Sequence, residues 1–599
     1  MNVSFAHANP ATSHESTLLR VSPQEGSSKV YLIDAGNGVS PDGLVGPDES
    51  LDGVFLTHAH VDHYAGLGSI LSETDGDETP LYTSPATATV LERLYTEADR
   101  YQNLGGAEPV SDALSPIEGW TALDDEVAVL PVPAGHTPGA AGYLFRIEDA
   151  QNHETVTVLV TGDFTDRSVA GYPGLRTPDG IEIDVVIANA STAESFEEEL
   201  TGALDTVLER ALGGATTLVA AGGLTGVHAA YLLGNLVTEL DRRLTINLVG
   251  QAAKLYEALN YEVPSVTVHE EFADTDEVLE PGAVTIAGPE APFQGSCKRL
   301  YGAISDDPDA VFVQFATSGT APANDGTCAS HYVELPNHPT EEAFVETVER
   351  NLPRHLILKH AHPSEAKELG SSFDNLFYWA NDDPNEHLLY GDGNWYSPPW
   401  VSDSEATRIR RRNYRASGSR IPLDQPVEKL PDVPLERGSV DLEAEGIDVG
   451  TLRDRFESTI GATMPGETSV TTDSESATAD SESATMTPKP ATTDSEPATT
   501  DGGSGAVVED SGGSAGPTGA DADGLETRFD DVDSRLDTVE ESLGELLDRV
   551  SSNGKVSVPG TVIRQDDLIL VRVDSGVLEG AGLELEDGEE VRVSIEKEQ

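Results

Sequence analysis

The sequence predicts an α/β fold for about the first 400 of its 599 residues. Short apolar and β-branched runs recur in this part, and helical patterns lie between several of them. Such alternation is typical of helices layered on sheets. Residues of the types that can bind metals, His and Asp, directly follow several of these runs. Beyond about Trp400 the composition changes. At roughly 150 residues per domain the length allows three or four domains, so we expect further units after the α/β part.

The predicted elements alternate regularly along this part of the chain. A helical pattern over residues 86–101 lies among the early strands, and helix-like stretches over 197–212 and 226–240 alternate with later ones. The later stretches predict a second region of alternating strands and helices. The predicted strands, in chain order, are Lys29–Ile33, Val54–Thr57, Val127–Val132, Val156–Val160, Val185–Ile187, Thr217–Ala221, Thr245–Val249, Val284–Ala287, Ala310–Gln314 and His355–Lys359.

The charge balance is strongly acidic. Lys and Arg number 36 and Asp and Glu number 106, which gives a formal net charge of −70. This excess argues against a generally basic surface that coats nucleic acid. It also argues against adhesion to an anionic membrane as the main role of the surface. A surface rich in carboxylates and poor in Lys resembles the proteomes of salt-in halophiles, where a Debye length of ~3 Å screens most self-repulsion. We therefore interpret the charge as adaptation to a medium of high salt and not as an indication of the substrate.

Cysteine content and hydropathy indicate the compartment. Two cysteines, Cys297 and Cys328, are too few for a disulfide framework, and reduced thiols are expected. The N-terminal residues lack a cationic start followed by an apolar run, and no run of 18 apolar residues occurs. We predict a cytoplasmic protein without a membrane span.

Residues 401–465 form an Arg-rich segment and the start of a linker, and residues 466–524 predict a disordered acidic linker. The second of these segments has no aromatic residue, one basic residue (Lys489) and a degenerate seven-residue repeat that begins TDSESAT at Thr472. Such a composition buries too little apolar area to offset the entropy lost on ordering.

Residues 525–551 predict a coiled coil, and residues 555–599 a small β unit. The coil stands between a linker and a small tail, so its partner is expected to be a second copy, with a homodimer favoured. Three β-type runs, 555–558, 568–573 and 590–595, predict the small unit. The apolar seam of the coil consists of Leu525, Phe529, Val532, Leu536, Val539, Leu543, Leu546 and Val550.

The strongest chemical signal is the segment Thr57–His63, whose sequence is THAHVDH. It follows a predicted buried strand and holds four ligand-type side chains within six residues. His58 and His60 lie two apart on an extended segment and can point toward one ion, while Asp62 and His63 begin the next turn and can face a second. Such a cluster arises by chance in about one chain in a thousand of this length and composition.

Three further ligand-type residues follow predicted strands. Asp34 ends the strand at residues 29–33, His136 stands in Gly-His-Thr-Pro-Gly, and Asp163 follows the strand at residues 156–160. A rigid sheet can aim side chains at strand ends with precision. Each residue alone is typical of a local cap, but together with the histidine motif they predict a metal site.

The order His58-X-His60-X-Asp62-His63, then His136, then Asp163 resembles the metallo-β-lactamase superfamily. The stretches AGHTPGAAGYLF and VTGDFTDRSVAGYPG are similar to its β-CASP branch of nucleic-acid nucleases. The resemblance covers about residues 1–400. It implies an αββα sandwich formed by residues 1–195 and 331–400, with an α/β domain of β-CASP type inserted at 196–330.

The resemblance also implies the roles of single residues. His338 takes the place of the family's phosphate-contacting histidine, and His360, at the end of the strand 355–359, takes that of the last metal ligand; His362 is its rival. Asp34 is expected to orient a ligand histidine or nearby backbone, and Asp62 and His338 are expected to act in catalysis. Two zinc ions per chain are implied, with His58, His60, Asp62, His63, His136, Asp163 and His360 as ligands.

Two departures from the family pattern stand beside these matches. Ala190, in Ala-Asn-Ala-Ser-Thr, occupies the place of an acidic residue, and Pro336-Asn337-His338 replaces Ser-Gly-His. A carboxylate that supports metal ligands is worth ~10–100-fold in metal affinity or activity. The departures therefore leave a fast nuclease in question while the metal site stays complete.

A local cluster of arginines is the exception in this acidic chain. Arginine forks suit phosphates, and an aromatic ring among them can stack a base. The alternative is a solvated segment that pairs with the acidic surface, and both interpretations stay open. The candidate RNA-contacting residues are Arg408, Arg410, Arg411, Arg412, Tyr414 and Arg415.

The sequence thus predicts a zinc-dependent hydrolase, in first place a phosphodiesterase or ribonuclease of RNA processing or decay. RNA is the expected partner, and DNA is not separable from it by sequence. One alternative is a weakened relative that binds RNA or a nuclease as a scaffold, which the residue Ala190 favours. Another is a metallo-hydrolase of a small ester, thioester or lactone, which a compact insert shielding the metals would favour.

Overall fold

The computed structural model describes residues 1–460, apart from 10–14, 25, 42–43, 47–48, 74–78, 318, 325, 362, 381–384 and 414–424, and the segments 560–565 and 568–573. The chain divides into two units, residues 1–465 and 466–599. The strands of the first unit are β1 (Asn2–His7), β2 (Thr17–Ser22), β3 (Lys29–Ile33), β4 (Gly53–Phe55), β5 (Leu81–Thr83), β6 (Leu114–Pro116), β7 (Thr121–Ala122), β8 (Val127–Gly135), β9 (Ala140–Asp149), β10 (Glu154–Val160), β11 (Val185–Asn189), β12 (Thr217–Ala220), β13 (Thr245–Val249), β14 (Val266–His269), β15 (Ala283–Ala287), β16 (Val311–Ala316), β17 (Ala329–Glu334), β18 (His355–Lys359), β19 (Phe377–Trp379), β20 (His387–Gly391) and β21 (Asn394–Trp395).

The helices of this unit lie between and after these strands. They are α1 (Val61–Tyr64), α2 (Leu67–Glu73), α3 (Pro85–Gln102), α4 (Glu108–Ala113), α5 (Phe196–Leu212), α6 (Gly223–Glu239), α7 (Gln251–Ala258), α8 (Gly295–Ile304), α9 (Glu341–Asn351), α10 (Pro363–Ser371), α11 (Asp403–Arg412) and α12 (Val449–Ile460). Short 3-10 turns occur at Thr275–Glu277 and Val427–Lys429.

Two mixed sheets face each other across an apolar core. One has the strand order β21-β20-β1-β2-β3-β4-β5-β6, and the other β19-β18-β11-β10-β9-β8-β7. Their facing side chains form one buried cluster that includes Phe5 and Tyr31 from the first sheet and Phe145 and Trp379 from the second. Buried aromatic rings of this size contribute much of the apolar area that stabilises a sandwich.

Helices cover the outer face of each sheet. Tyr64, Leu67 and Leu91, from α1, α2 and α3, pack with buried residues of the first sheet. Phe344 of α9 and Leu369 of α10 pack with buried residues of the second sheet. This mixed α/β arrangement of helix, sheet, sheet and helix agrees with the predicted metallo-β-lactamase sandwich.

A third sheet interrupts the second one in chain order. Its strands are arranged β14-β13-β15-β12-β16-β17 and all pair in parallel. The chain leaves the second sheet after β11 and returns to it at β18, which pairs directly with β11 in parallel. Helices α5, α6, α7 and α8 alternate with the strands, as a parallel sheet requires.

A C-terminal strap, residues 425–457, returns across the inserted region. Its side chains Leu442, Ile447 and Leu452 are buried in the same apolar cluster as Leu204 of α5. Arg455 pairs with Asp205 of α5 and, at 2.9 Å, with Glu209. The strap is therefore part of the folded unit, and side-chain packing rather than strand pairing holds it there.

The described part of the second unit is a pair of antiparallel strands, β22 (Gly560–Gln565) and β23 (Leu568–Val573). The strand β23 coincides with one predicted run of the small β unit. The other two runs of that unit, the acidic linker and the coiled coil lie outside the described residues. Within the described ranges, no helix combines the length and apolar character needed to cross a membrane.

Candidate metal centre

The motif after β4 is placed by a sharp change from strand to helix. Thr57 and His58 continue the chain beyond the strand in buried positions, and His60 is the N-cap of the short helix α1. Asp62 lies in the first turn of that helix and His63 in its last. The extended stretch thus carries His58 and His60, and the helical turn carries Asp62 and His63.

The first group consists of His58, His60 and His136, whose ligand atoms all lie within 4.8 Å of one another. His60 Nδ1 lies 3.1 Å from His58 Nε2 and 3.2 Å from His136 Nε2. Tetrahedral zinc with Zn–N bonds of ~2.0–2.1 Å holds its ligand nitrogens about 3.4 Å apart. The two distances from His60 Nδ1 are therefore close to the spacing that a zinc ion requires.

The second group consists of Asp62, His63 and His360, again within 4.8 Å of one another. His360 directly follows β18 with a positive φ of 51°, and its side chain is 19% exposed. The His63 Nε2 atom is buried and has no hydrogen-bond partner among the described residues. An orphaned ring nitrogen in this place suits a metal ligand. The rival His362 lies outside the described residues.

Asp163 lies between the two groups. Its Oδ2 atom is 3.4 Å from His63 Nε2, 3.5 Å from His136 Nε2 and 4.0 Å from His360 Nε2. Its Oδ1 atom accepts a hydrogen bond of 2.9 Å from Asn189 Nδ2, which leaves Oδ2 for the centre. One carboxylate thus faces ligand atoms of both groups.

Asp34 supports the centre from behind. Its carboxylate accepts hydrogen bonds from Thr57 N at 2.8 Å and Thr57 Oγ1 at 2.9 Å, and it lies 2.9 Å from His63 Nδ1. These contacts hold the His63 ring with Nε2 toward Asp163. A side chain at Gly162, which has φ +60°, would meet Thr57 at 2.6 Å, so glycine is needed there.

His338 joins the centre through the segment Pro336-Asn337-His338. Its ring stacks on that of His136 with 4.9 Å between centroids. Asn337 exchanges two hydrogen bonds with His136, and the buried Arg167 donates to the His338 carbonyl at 2.7 Å. The departure from Ser-Gly-His therefore still places a histidine against the metal ligands.

Burial and neighbouring charges set the protonation of these groups. Burial lowers the pKa of His60 to about 4 and that of His338 to about 3, and it also lowers the pKa of His58 and His136. Burial opposes the charge of His63 as well, but the carboxylates of Asp34 and Asp163 outweigh it and raise its pKa well above the usual value. Without metal, the imidazole of His63 is therefore expected to be cationic at pH 7.

This charge predicts a proton cost for metal binding. Zinc needs the neutral His63 Nε2, so uptake at pH 7 is expected to release about one proton per chain from His63. Because the His63 pKa is raised, zinc affinity should increase with pH through the neutral range, about tenfold per unit, until that pKa is passed. Calorimetric titration with zinc in buffers of different ionisation enthalpy measures the proton count. No release, or an affinity independent of pH, would contradict the assignment of His63.

Sequence reasoning missed several residues that contact the centre. Glu15 is buried and accepts a hydrogen bond from Asn9 Nδ2 at 2.6 Å. It lies close to Asp62, because a side chain at Gly36 would meet both the Glu15 carboxylate and the Asp62 carbonyl. Burial, opposed by the nearby His63, raises the pKa of the Glu15 carboxyl. The buried Lys359 amine bonds to Ser16 O and Thr17 Oγ1, and burial lowers its pKa to about 7. Glu15 and Lys359 stand in no recognisable motif, and Asn189 precedes Ala190 in the segment Ala-Asn-Ala-Ser-Thr, with no role predicted for it from the sequence.

A cavity of about 430 Å³ opens over the centre. Its lining includes His60, Asp163 and His338 together with Phe196 and Phe315 from the inserted region. No Lys or Arg is among the described residues that line it. The centre is thus reached through a largely apolar recess between the sandwich strands and the inserted region.

The candidate RNA-contacting arginines lie on α11, away from this cavity. Arg408 pairs with Glu405 at 2.8 Å, and Arg412 pairs with Asp374. Arg410 donates to the Trp395 carbonyl at 3.2 Å and lies over the Phe377 ring. Arg411 is exposed, and Tyr414 and Arg415 lie outside the described residues.

Comparison with known proteins agrees with this geometry. Residues 30–199 match the family model described as the β-lactamase superfamily domain. The resemblance expected from the histidine motif is thereby confirmed for this part of the chain. The match includes the ligand-type residues from Asp34 to Asp163, while His338 and His360 lie beyond it.

Among curated proteins, the chain is similar to endoribonuclease YSH1 of Gibberella zeae, with 26% identity over 27% of this chain and 21% of that protein. It is also similar to the DNA cross-link repair protein PSO2/SNM1 of Saccharomyces cerevisiae, with 30% identity over 24% of this chain and 21% of that protein. The chain therefore spans about a fifth of the length of these relatives. A solved structure of a protein of unknown function from Enterococcus faecalis V583 aligns with 65% of this chain and all of its own, at 13% identity and a TM-score of 0.46.

Proposed function

We propose that this protein is a two-zinc hydrolase that cleaves phosphodiester bonds in nucleic acid, with RNA as the first-choice substrate. The observation that carries the proposal is the position of the Asp163 Oδ2 atom, within 4.0 Å of ring nitrogens from both ligand groups. A carboxylate shared between two ions about 3.5–4 Å apart is the arrangement of two-metal phosphodiesterases. Among relatives, the names endoribonuclease and DNA cross-link repair protein support a nucleic-acid substrate.

The donor set fits zinc. Imidazole nitrogens and carboxylate oxygens are both zinc ligands, and the two groups each supply three side chains with Asp163 between them. When bound, two zinc ions would lower the pKa of a shared water toward ~7 and offer positive charge to the phosphorane oxygens. His58, His60 and His136 would hold one ion, and Asp62, His63 and His360 the other.

The remaining residues of the centre orient a metal ligand or contact the substrate. Asp34 fixes the tautomer and direction of His63 through the contact at Nδ1. His338 lines the cavity beside His136 and stays neutral, because burial lowers its pKa to about 3. A neutral imidazole there has one N–H group, which can donate a hydrogen bond to a phosphate oxygen.

The test is hydrolysis of RNA and DNA oligonucleotides by the zinc-loaded full chain in molar KCl. We expect cleavage of RNA, and none by the matched His63→Ala variant. Cleavage that is equal in wild type and variant would point to a contaminating nuclease and overturn the proposal. Cleavage of DNA alone would keep the reaction and correct the substrate.

The apolar cavity favours a second candidate, a hydrolase of a small ester, thioester or lactone. The absence of Lys and Arg among its described lining residues suits an uncharged substrate better than a long polyanion. Aryl ester, thioester and lactone probes should be compared with bis(4-nitrophenyl) phosphate under the same zinc loading. A kcat/KM for any of the three that exceeds the phosphodiester value at least a hundredfold would favour this candidate.

The position of Ala190 distinguishes an enzyme from a scaffold. Ala190 is buried, yet it and His360 line a separate cavity of about 460 Å³, which leaves room for a longer side chain. The Ala190→Glu variant is expected to gain ~10–100-fold in zinc affinity or hydrolysis, because it restores a supporting carboxylate. The Ala190→Gln variant, of equal size and without charge, is the control. RNA binding without cleavage in all three proteins would favour the scaffold.

We propose that RNA reaches the α11 arginines outside the cavity. Replacing Arg410, Arg411 and Arg412 with Gln is expected to weaken RNA binding and to reduce the slope of log K against log salt by about 2, the value for three phosphate contacts to a single strand. Hydrolysis of bis(4-nitrophenyl) phosphate should not change. The Arg453→Gln variant, at an exposed arginine paired with Glu239, is the control. Unchanged RNA affinity in the triple variant would reject this contact surface.

The domain boundaries belong to the same proposal. A β-CASP-like insert at residues 196–330 is supported by the parallel sheet that begins at β12 and by the return of the chain to β18. The coiled coil at residues 525–551 and the homodimer that it predicts stay predictions.

A further inference from the structure

A buried histidine–carboxylate pair lies in the cavity wall outside both ligand groups. His228, on α6, is 8% exposed, and its Nε2 atom lies 2.8 Å from Glu445 Oε2. Glu445 belongs to the C-terminal strap and is 1% exposed. His228 lines the same 430 Å³ cavity as the candidate metal ligands, so a molecule that fills the cavity meets both.

The carboxylate of Glu445 is held from two sides. Its Oε2 atom accepts from the backbone N–H of Ala170 at 2.8 Å, and its Oε1 atom accepts from that of Gly171 at 2.7 Å. A carboxylate with two backbone donors is an acceptor only, so His228 donates to it through Nε2. The one side-chain hydrogen bond of His228 to a described residue uses Nε2, which leaves Nδ1 for a ligand in the cavity that His228 lines.

This arrangement is costly if it serves packing alone. Burying a carboxylate and an imidazole costs free energy that apolar side chains of similar size would not, even when the pair is well bonded. The neighbours Leu224 and Leu232 on the same helix line the cavity as apolar residues. A polar pair retained in such a wall indicates a directed contact with a ligand.

The chemistry of the two cavity walls assigns the parts of a nucleotide. The candidate metal ligands suit the phosphate, whereas the cavity wall that the inserted region supplies has apolar side chains and, as polar groups, His228, Thr225 and Thr317. With no Lys or Arg among the described lining residues, that wall does not suit a second phosphate. It suits the uncharged part of the same nucleotide, which is a sugar hydroxyl or a base edge.

We propose that His228 hydrogen-bonds through Nδ1 to the sugar or base of the nucleotide whose phosphate lies at the metal centre. Glu445 is a positioning residue, because it fixes the tautomer and the direction of the ring. This inference rests on the proposed function, since it names the part of the nucleic acid that the inserted region contacts. It also gives the strap a role at the site, because Glu445 reaches the cavity wall from there.

The test is the affinity of the zinc-loaded full chain for two probes, adenosine 5′-monophosphate and inorganic phosphate. Loss of one directed hydrogen bond in the His228→Phe variant is expected to weaken the affinity for the nucleotide about tenfold and to leave the affinity for inorganic phosphate unchanged. The His228→Gln variant should recover part of the loss, and Glu445→Gln should lie between wild type and His228→Phe. The His269→Gln variant, at an imidazole of β14 in the inserted region that bonds to Asn247 instead, is the control and should behave as wild type.

The outcomes separate this contact from the proposed reaction. Equal nucleotide affinity in wild type, His228→Phe and His228→Gln overturns the contact. An equal loss of affinity for inorganic phosphate also overturns it, because that loss indicates a disturbed metal centre. A wild type that cleaves no phosphodiester but discriminates the nucleotide through His228 keeps the contact and rejects the reaction. Cleavage without that discrimination keeps the reaction and rejects the contact.

Discussion

Replacing His58 and His60 together with alanine is expected to remove one zinc ion per chain and to reduce hydrolysis by at least about a thousandfold. The first ligand group would keep only His136, beside the shared Asp163, and two side chains do not hold zinc in a protein site. The positive charge lost from the transition state is worth several kcal/mol, and ~1.4 kcal/mol corresponds to a tenfold change in rate. Elemental analysis and phosphodiester assays measure the two effects.

A matched control separates this loss from misfolding. His153 lies at an exposed turn between β9 and β10, so the His153→Ala variant should keep both zinc and activity. Circular dichroism should give the same folded signal for the double variant, since the apolar core between the sheets contains neither His58 nor His60. Full zinc content in the double variant would show that the first ligand group does not bind metal.

The parts of the centre that the sequence could predict are those set by local order. Asp34 follows β3, which runs parallel to β4, the strand before the motif THAHVDH, so the two strand ends lie side by side. His136 and Asp163 follow β8 and β10, which run in the same direction on either side of β9 in the second sheet. The predicted helix at residues 86–101 corresponds to α3, where Ser84 and Pro85 mark the start through a cap and a fixed φ. Such signals extend over a few residues and are visible without a fold.

The parts that could not be predicted depend on contacts between distant residues. Lys359 bonds to the carbonyl of Ser16, the residue after Glu15, although 343 residues separate Ser16 from Lys359. The partner of His228 stands 217 residues later, in a segment that the sequence assigned to an Arg-rich stretch and linker start. A single carboxylate among 106 acidic residues carries no signal of its own, so only the fold distinguishes Glu445.

The Asp163→Asn variant is expected to bind at most one zinc ion and to lose about a thousandfold in hydrolysis. Asparagine keeps the shape and the acceptor for Asn189 Nδ2, but it removes the charge that faces ligand atoms of both groups. Because Asp163 also helps to raise the His63 pKa, the variant should release less than one proton on binding zinc.

The control for this substitution is Asp184→Asn. Asp184 is a buried carboxylate that pairs with Arg354 at 3.0 Å and contacts Thr157, outside both ligand groups. Its loss should cost stability, seen as a lower Tm, because the partner charge of Arg354 is left without a counter-ion. Zinc content and proton release should stay as in wild type. Two zinc ions and an unchanged rate in Asp163→Asn would mean that the two groups bind metal without a shared carboxylate, and the proposed two-metal reaction would then lose the observation on which it depends.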